Sequence, residues 1–600
     1  MLAKSLIRIN ATEKKIFNTL ENVVSTDPYL RGTTELRVAG GWVRDKLLGI
    51  DSDDIDISIN NMTGKKFATI LKSQLNADSG NVPESYVVKL NPEKSKHLET
   101  AAVKVDNVWI DFVHLRGEVY TSEGGRIPTT TFATPEEDVR RRDFTVNSLF
   151  YNIQTKSIED FSGFGVVDLK EKVIRTTPPR TASEVLLEDP LRAYRAVRFA
   201  TTLNFSIADD LKYALIDPQV HRAVLKKVSR ERITMELGKM LHLRKTDALR
   251  GLNMLREYKL GGILFGDSDD HTIEAQEYHH GIFDTVCSEA EFVISFLPID
   301  SNGVIRDMFS LVFSSYISNR MKHQDKDIFL RKISNQSNAL SAEKPSLDFP
   351  YGRFLTSKTS ASTGANIYID LSNKSSAYFT SLNKKYNFEA YLSDKFRGMH
   401  KRHTKKAVNV YKASLVFPTT ALRKYVEENN ILQAKLVFSL WLCTVRSLLE
   451  NEYDLDGTVF QSICVATLSS LRGSNSDYDM KKANEYVRSF LDFYEIHNIK
   501  CLTTVDSNIK GREIVEYATK MMPEQAATGK KNKKAKHQML SPKSYVRVMK
   551  ESLATWTVVN NVLRSEGLVK DTDFTSDADA YEFLGNVFSA LLADSKDSQM

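Results

Sequence analysis

A pair of aspartates offers the clearest chemistry in this chain. Asp54 and Asp56 stand two residues apart in the alternating segment 53–59, so a strand there would point both carboxylates to one face. Ile55 and Ile57 would then point to the other face, toward a core. Carboxylates on one face repel each other unless a cation lies between them, and their oxygens suit Mg²⁺. We predict that Asp54 and Asp56 bind two Mg²⁺ ions, which about 3.5–4 Å apart can clamp the oxygens of a phosphoryl transfer.

A third carboxylate usually completes a metal site of this kind. Asp111, in the alternating segment 108–115, is the best candidate, and we predict that it joins the pair as a catalytic residue. Acids at i and i+2 also occur on solvated surface strands, so the pair alone leaves that second interpretation open.

A glycine pair ahead of the aspartates favours a nucleotide site. Gly40 and Gly41 follow a predicted strand, where glycine allows a phosphate to approach the backbone closely. Amides at the start of the following helix can bind an anion, and Arg44 would add positive charge for a triphosphate. The alternative is a tight turn between a strand and a helix. No GxxxxGK[ST] motif is present, which argues against a P-loop NTPase.

The elements that would position these residues follow from hydrophobic periodicity. The first 178 residues mix strand and helix signals, and the chain beyond about residue 180 is almost wholly helical in pattern. Residues 116–136 are polar and rich in Gly, Thr and Pro, which predicts a mobile loop. We predict helices at 12–24, 64–76, 183–200, 208–216, 221–242 and 246–257, and strands within 35–60 and at 84–90, 100–106 and 108–115.

Composition narrows the class of protein. The chain has 600 residues, a net charge of +6 and 42% hydrophobic residues, enough for several domains with real cores. Its four cysteines lie far apart and form no disulfide framework, which favours a reducing compartment. No apolar run approaches the ~18 residues of a membrane span. The first twelve residues carry two basic residues and no acid, which is typical of a weak mitochondrial presequence or of an ordinary basic terminus.

A second group of residues, in segment 188–199, could read a nucleotide. Asp189 and Pro190 predict a helix start, with Asp at the N-cap and Pro at the first helical position. Three arginines then recur every third residue on one broad face, while Phe199 is expected to pack away from them. Such a face binds a base and phosphates, or is simply solvated. The arginines are Arg192, Arg195 and Arg198.

Asp189 and Arg192 together could mimic a base-pairing edge. A carboxylate accepts from the exocyclic amine that C and A carry and U lacks. A guanidinium donates to a ring nitrogen or a carbonyl oxygen in a bidentate way. The pair would therefore select C and A without a nucleic-acid template, because a wrong base would leave the polar groups of the site unpaired.

Five motifs in this order resemble the class II tRNA nucleotidyltransferase/poly(A) polymerase family over roughly the first 241 residues. They are GGWVRDKLLG with DDIDI, residues 91–120, TPEEDVRRRDFTVNSLFYNI, EDPLR and residues 228–241. The stretch 91–120 is similar to the eukaryotic CCA-adding members. The resemblance implies an α+β fold, in which a polymerase-β-like nucleotidyltransferase head with a small mixed sheet precedes a long all-helical neck, body and tail.

The resemblance also implies residue roles. It supports Asp54 and Asp56 as metal ligands and Glu118 and Arg126 as members of a flexible loop that reshapes the pocket. Residues 228–241 would brace the nucleotide-reading helix. The implied nucleotide-binding residues are Gly40, Gly41, Arg44, Arg142, Asp143, Asn147, Glu188, Asp189, Arg192, Arg195 and Arg198.

The implied activity is addition or repair of the 3′-terminal CCA of tRNA from CTP and ATP. C-adding, A-adding or poly(A)-adding activity is the alternative, and an inactive RNA-binding protein is a further one. The partner is the acceptor stem and 3′ end of tRNA, with no membrane and no obligatory protein partner; the compartments are cytoplasm, nucleus and mitochondrion. Expected tRNA contacts are Lys226, Lys227, Lys239, Arg244, Lys245 and segments 396–406 and 529–536.

The expected division has five parts. An N-terminal extension (1–24) precedes the head (25–178). A neck with the nucleotide-reading helix (179–260) and a body (261–410) follow. The last part is a tail (411–600) that binds tRNA and contains a disordered basic segment near 527–538.

Overall fold

A computed structural model of the chain forms two compact units, Met1–His280 and Gly281–Met600. The finer predicted boundaries at 24, 178, 260 and 410 stay predictions. The structure describes residues 7–52, 54–79, 84–88, 100–119, 129–241, 245–265, 273–296, 401–415, 417, 419–432, 434–435, 438–439, 441–442, 445, 455–471, 479–502, 516, 557–558, 561–562 and 564–567.

A mixed seven-stranded sheet organises the first unit, with strand order β3-β4-β5-β2-β1-β8-β9. Strands β2 and β5 run parallel, and every other neighbouring pair in this sheet is antiparallel. The predicted small mixed sheet is therefore confirmed. The strands are β1 (Leu36–Ala39), β2 (Ile55–Ile59), β3 (Ser85–Val88), β4 (Thr100–Val105), β5 (Val108–His114), β6 (Arg116–Val119), β7 (Thr129–Phe132), β8 (Phe150–Asn152), β9 (Ser157–Glu159), β10 (Val173–Ile174) and β11 (Ser206–Ile207).

Helices make up most of the described chain beyond residue 180. They are α1 (Ala11–Thr26), α2 (Gly41–Leu47), α3 (Gly64–Ser79), α4 (Pro135–Arg141), α5 (Gly165–Glu171), α6 (Ala182–Glu188), α7 (Leu191–Thr202), α8 (Asp209–Leu215), α9 (Pro218–Lys227), α10 (Arg230–Leu241), α11 (Lys245–Glu257), α12 (Leu260–Phe265), α13 (Ile273–Phe296), α14 (Lys401–Leu415), α15 (Thr419–Glu427), α16 (Leu455–Leu471), α17 (Met480–Ile496) and α18 (Ile499–Leu502). This α+β class with a long helical part is the one predicted.

In strand β2, the alternation of residue types determines which face is buried. Ile55, Ile57 and Ile59 are buried, whereas Asp56 between them is exposed. Alternation along the strand therefore separates core from carboxylate, as predicted. The predicted strand–turn–helix–strand order of residues 35–60 is also confirmed.

The predicted mobile loop at 116–136 is wrong at its two ends. Strands β6 and β7 pair there as an antiparallel ribbon, with Arg116 opposite Phe132 and Val119 opposite Thr129. The run of β-branched threonines at 129–131 favours strand over loop, a signal that the polar composition concealed. Residues 120–128 lie outside the described part.

Two long predicted helices are each divided in the structure. The stretch 183–200 breaks at Asp189, which is extended, because a residue before proline disfavours the α conformation. Helix α7 consequently begins at Leu191, one residue later than the predicted start at Pro190. The stretch 221–242 divides between α9 and α10 at Val228, which is also extended.

The second unit packs its described helices around aromatic side chains. Phe417 lies edge-on to Trp441 and to Phe490, with ring centroids 4.7 and 5.5 Å apart. One predicted tRNA-binding segment, 396–406, partly enters α14, where Lys406 is buried and does not present its charge to solvent. Segment 529–536 lies outside the described residues. No described helix is both long and apolar enough to cross a membrane.

Candidate active site

The three predicted carboxylates come together at one edge of the parallel pair. Asp56 on β2 and Asp111 on β5 are direct register partners, and Asp54 immediately precedes β2. Asp54 and Asp56 are exposed, and Asp111 is half-buried. A parallel pair places partner residues on the same face, so the acids form one negatively charged cluster.

The electrostatics of this cluster show an excess of negative charge. Burial by the surrounding protein, followed by the charges of Asp54 and Asp111, raises the pKa of Asp56 to about 6, against the opposing charge of Arg142. Burial, followed by the charge of Asp54, also raises the pKa of Asp111. Like charges held together in this way favour a bound cation.

The donor set fits a hard divalent cation that also needs substrate oxygens. Within the described residues, no group of three or more His, Cys, Asp and Glu side chains converges closely enough to hold a metal alone. Mg²⁺ commonly takes one or two protein carboxylates and completes its octahedron with water and phosphate. An all-oxygen, incompletely enclosed cluster matches that pattern.

Gly40 forms a tight corner between β1 and α2. Its φ is +66°, and a Cβ there would meet Arg142 Nη1 at 3.0 Å and the Asn147 carbonyl oxygen at 3.2 Å. Only glycine combines this conformation with such close neighbours. Gly41 opens α2 directly after it. The corner therefore brings β1, α2 and the 3-10 turn Thr145–Asn147 together.

Asn147 links the glycine corner to the nucleotide-reading helix. Its side-chain oxygen accepts from Arg44 Nη1 at 2.6 Å, and its Nδ2 donates to Asp143 Oδ1 at 3.2 Å. Arg195 of α7 donates to Asp143 Oδ2 from Nε and Nη2, at 2.8 and 2.6 Å. Four of the predicted nucleotide-binding residues thus form one continuous chain of hydrogen bonds.

Asp143 is held ionised by this chain. Burial alone would raise its pKa, but the charge and hydrogen bonds of Arg195, with Asn147 and Arg192, lower the pKa to about 2. A buried carboxylate with such partners acts as a fixed orienting group for Arg195 and Asn147.

Arg142 links the carboxylate cluster to the glycine corner, since its charge acts on Asp56 and its side chain contacts Asn147. It donates from Nε to Asp138 Oδ2 at 2.9 Å and from Nη1 to the Asn147 carbonyl at 3.0 Å. Its guanidinium also lies 4.9 Å from the centre of the Phe150 ring. The side chain is therefore fixed before any ligand arrives.

The two predicted base-reading residues have separate partners. Arg192 donates to Glu188 Oε2 at 2.6 Å, and also to the carbonyls of Val185 and Arg141. Asp189 instead accepts from Arg232 Nη2 at 2.9 Å. The structure thus joins Glu188 to Arg192 but does not pair Asp189 with Arg192 directly.

The prediction that Phe199 packs away from the arginine face is wrong. The guanidinium carbons of Arg44, Arg195 and Arg198 lie 5.2, 5.3 and 3.9 Å from its ring centre. An aromatic face attracts cations, so Phe199 gathers the arginines instead of separating them.

Sequence reasoning missed two residues of helix α10 that complete this site. Glu236, which is buried, pairs with Arg198 Nε and lies 3.7 Å from Arg195 Nη1, while Arg232 holds Asp189. The signal was present, because a stripe of arginines on one helix requires acids on the helix packed against it. Segment 228–241 carries both an acid and an arginine at i, i+4 spacing.

A buried lysine behind the glycine corner was missed as well. Lys46 of α2 donates to Glu13 Oε1 of α1 at 2.9 Å and to Asp51 Oδ1 at 2.8 Å. Trp42 Nε1 donates to the same oxygen of Glu13 at 3.1 Å. Lys46 thereby ties α1 to the loop that leads into Asp54.

The predicted loop residues can be placed only in part. The backbone of Glu118 pairs with Thr130 in the ribbon of β6 and β7. Its side chain and the whole of Arg126 lie outside the described part. Their roles stay predictions.

The mixed sheet with its carboxylates and the glycine corner lie in a part of the chain that matches a known family model, and the arginine helix lies between that part and a second match. Residues 36–175 match the poly A polymerase head domain, and residues 204–270 match the probable RNA and SrmB-binding site of polymerase A. The resemblance predicted from the motifs is therefore confirmed for this part of the chain.

Curated relatives agree with the family match. The chain is 45% identical over 267 residues to the mitochondrial CCA tRNA nucleotidyltransferase of Candida glabrata, covering 43% of this chain and 49% of that one. It is 42% identical over 277 residues to tRNA nucleotidyltransferase cca1 of Schizosaccharomyces pombe, covering 46% and 54%. The match therefore spans about half the length of these relatives. A solved apo CCA-adding enzyme aligns at a TM-score of 0.47 and 17% identity, over 92% of this chain and 95% of that one.

Proposed function

We propose that this protein adds or repairs the 3′-terminal CCA of tRNA from CTP and ATP without a nucleic-acid template. The observation that carries the proposal is the register pairing of Asp56 with Asp111, with Asp54 beside them, in a head of the poly(A) polymerase type. The relatives named CCA tRNA nucleotidyltransferase support the choice of RNA and nucleotides.

Asp54 and Asp56 would hold two Mg²⁺ ions, and Asp111 would complete the cluster. When bound, the ions supply charge for the triphosphate and for the attacking 3′-oxygen of the tRNA. The protein supplies position: Arg44 and Arg142 are already fixed by Asn147 and Asp138, so they can meet phosphates without reorganising. Gly40 and Gly41 keep the corner free of side chains.

Selection of C and A would rest on Asp189 and Arg192, with Glu188 orienting Arg192. Asp189 pairs with Arg232 in the present structure and keeps 28% of its side chain exposed. Reading an exocyclic amine requires this carboxylate to share or exchange its partner. Arg195 and Arg198 would face the nucleotide phosphates from the Phe199 cluster, oriented by Asp143 and Glu236.

The acceptor stem of tRNA would bind the helical part, with Lys226, Lys227, Lys239, Arg244 and Lys245 among the candidates, and segments 396–406 and 529–536 further along. The compartments proposed are mitochondrion, cytoplasm and nucleus; the name of the Candida glabrata relative places that protein in mitochondria. The segment near 527–538 is proposed as a basic extension of the tail.

The test is an incorporation assay on tRNA that ends before its CCA. The full chain is incubated with Mg²⁺ and each nucleotide in turn, and the product ends are sequenced. Addition of C, C and A followed by a stop supports the proposal, while Asp56→Asn serves as the inactive control. Addition of C alone or A alone supports the narrower activity. A-tailing of unrelated RNA, or no addition by folded protein, contradicts the proposal.

A further inference from the structure

A cleft near the C-terminal end of helix α7 has no role in the proposed chemistry. Its volume is about 620 Å³, and it lies between β11, α8 and α11. Such a volume is within the ordinary range for a bound small molecule or a single nucleotide. The whole lining falls inside segment 204–270, which matches the RNA-binding family model.

The cleft is separate from the candidate active site. Helix α7 presents Arg192 and Arg195 to that site from its first turns, and its last residue, Thr202, leads into the cleft through Asn204 and Phe205. None of the residues that line the cleft is among the residues of that site. A molecule in the cleft therefore would not occupy the triphosphate position.

Arg250 gives the cleft a positive charge that its own contacts do not neutralise. It donates from Nη2 to the Phe205 carbonyl at 2.6 Å and from Nη1 to the Asn204 side-chain oxygen. Both oxygens are neutral, whereas Lys212 at the same cleft pairs with Asp209 at 2.8 Å. A guanidinium held by neutral acceptors keeps its capacity for one phosphate.

Asn253, which lines the cleft, carries an unsatisfied hydrogen-bond acceptor. Its Oδ1 is buried and has no donor within reach. An unpartnered buried amide oxygen is costly unless a ligand or an ordered water supplies the hydrogen. An unpaired nucleotide offers such donors, from the ribose 2′-OH or from a base amine.

The outer face of α8 extends the same chemistry. Tyr213 and Ile216 are 74% and 47% exposed, and they follow Lys212 at i+1 and i+4. An exposed aromatic ring beside a cation is a stacking surface for a neighbouring base. Glu257 also lines the cleft, so one carboxylate stands beside the cations Arg250 and Lys212 there.

We propose that this cleft binds one unpaired nucleotide of an RNA strand. Arg250 contacts its phosphate, Asn253 accepts from its ribose or base, and Tyr213 stacks on the next base. The inference deepens the proposed function, because it assigns a second point at which the RNA primer is held, outside the candidate active site.

The test measures RNA binding by the full chain in EDTA, without nucleoside triphosphates. The probes are a labelled single-stranded 12-nucleotide oligouridine and a blunt 12-base-pair RNA duplex. Asn253→Leu keeps the side-chain size and is expected to weaken binding of the oligouridine about fivefold while leaving the duplex unchanged. Arg250→Met is expected to reduce the salt slope of oligouridine binding by about 0.7, the value for one phosphate on a single strand.

Lys15→Met is the matched control, since it removes an exposed cation whose ion pair lies elsewhere. Crosslinking of 4-thiouridine RNA to the parent protein provides a readout that needs no variant, and the adducts are expected within residues 206–258. Equal effects on the duplex, adducts mapping elsewhere, or UMP binding as tight as the 12-mer would each overturn the proposal. Because no nucleotide is incorporated, these results are independent of whether the chain adds CCA.

Discussion

The carboxylate cluster and the arginine helix treat charge in opposite ways. At the cluster, burial and the charges of Asp54 and Asp111 raise the pKa of Asp56 against the opposing charge of Arg142, and burial and Asp54 raise the pKa of Asp111. At the helix, each arginine is matched by an acid, a carbonyl or an aromatic ring. The first region therefore holds negative charge that the proposed Mg²⁺ ions would neutralise, whereas the charges of the second are already matched within the protein.

This difference predicts where mutation costs activity and where it costs stability. A group that repels its neighbours weakens the folded state, and function is the reason to retain it. A buried charged group with a fixed partner stabilises the folded state. Removing one of the two leaves the other charge buried and unpaired. Measuring both nucleotide incorporation and the free energy of unfolding for each variant can therefore distinguish the two regions.

The largest effect is expected at the cluster. Asp56→Asn should lower nucleotide incorporation by on the order of 10³ or more, because metal-assisted charge stabilisation is lost. The same variant should be more stable than the parent in EDTA, since a repulsion is removed. Asp106→Asn, which alters an exposed carboxylate in a turn, is the control and should leave both properties near the parent values. Loss of stability together with activity would contradict the contrast.

The next effect concerns the buried lysine behind the glycine corner. Lys46→Met should lower the free energy of unfolding by about 3–5 kcal/mol, because Glu13 would remain buried without its cation. Adding Glu13→Gln should recover part of that loss. Urea titration gives the free energy of unfolding of both variants. The same measurement on Lys15→Met, whose ion pair is exposed, provides the comparison. An equal effect of Lys15→Met would show that burial does not decide the outcome.

The third prediction uses pH to test the arginine helix and its acidic partner Asp143. The pKa of Asp143 is lowered to about 2, below its value of ~3.9 in the unfolded chain, so its stabilisation is present above pH ~4 and lost as pH falls toward 2. The contribution is about 2–3 kcal/mol at neutral pH. Between pH 6 and pH 2, the free energy of unfolding should fall more steeply with decreasing pH for the parent than for Asp143→Asn. Parallel curves would contradict the assignment.

The smallest of these effects is one of selectivity. Asp189→Ala should keep metal binding but lose about 10–100-fold of the discrimination against UTP and GTP, the value of one base-reading contact. Arg232→Gln is the companion variant, since it frees Asp189 without removing it. Competition assays with mixed nucleotides give the ratio. Unchanged selectivity at equal turnover in Asp189→Ala would exclude the amino-acid template.

Local patterns in the sequence predicted the parts that depend on neighbouring residues. Alternation around Asp56 gave the faces of β2, and a strand followed by a glycine pair gave the corner at Gly40. The same alternation placed Asp111 on a strand. These features depend on residues that are close together along the chain, so they can be predicted from a single sequence.

Partners that are distant along the chain escaped prediction. Arg232 and Glu236 come from a helix some forty residues beyond Asp189, and Glu13 meets Lys46 across about thirty residues. Charge balance required such partners but did not say which residues they would be. The ribbon of β6 and β7 was missed for a different reason, since its turn-rich composition concealed the β-branched threonines.

The pairing of β2 with β5 has a consequence for how the protein is checked after synthesis. The two carboxylates are separated by 111 − 56 = 55 residues and become neighbours only when these strands pair. The proposed Mg²⁺ site would therefore be missing from a chain that has not formed the centre of its sheet. Mg²⁺ bound at the proposed site would add RT ln(1 + [Mg²⁺]/Kd) to the stability of the folded head alone, so the proposed catalytic ion would also report correct folding.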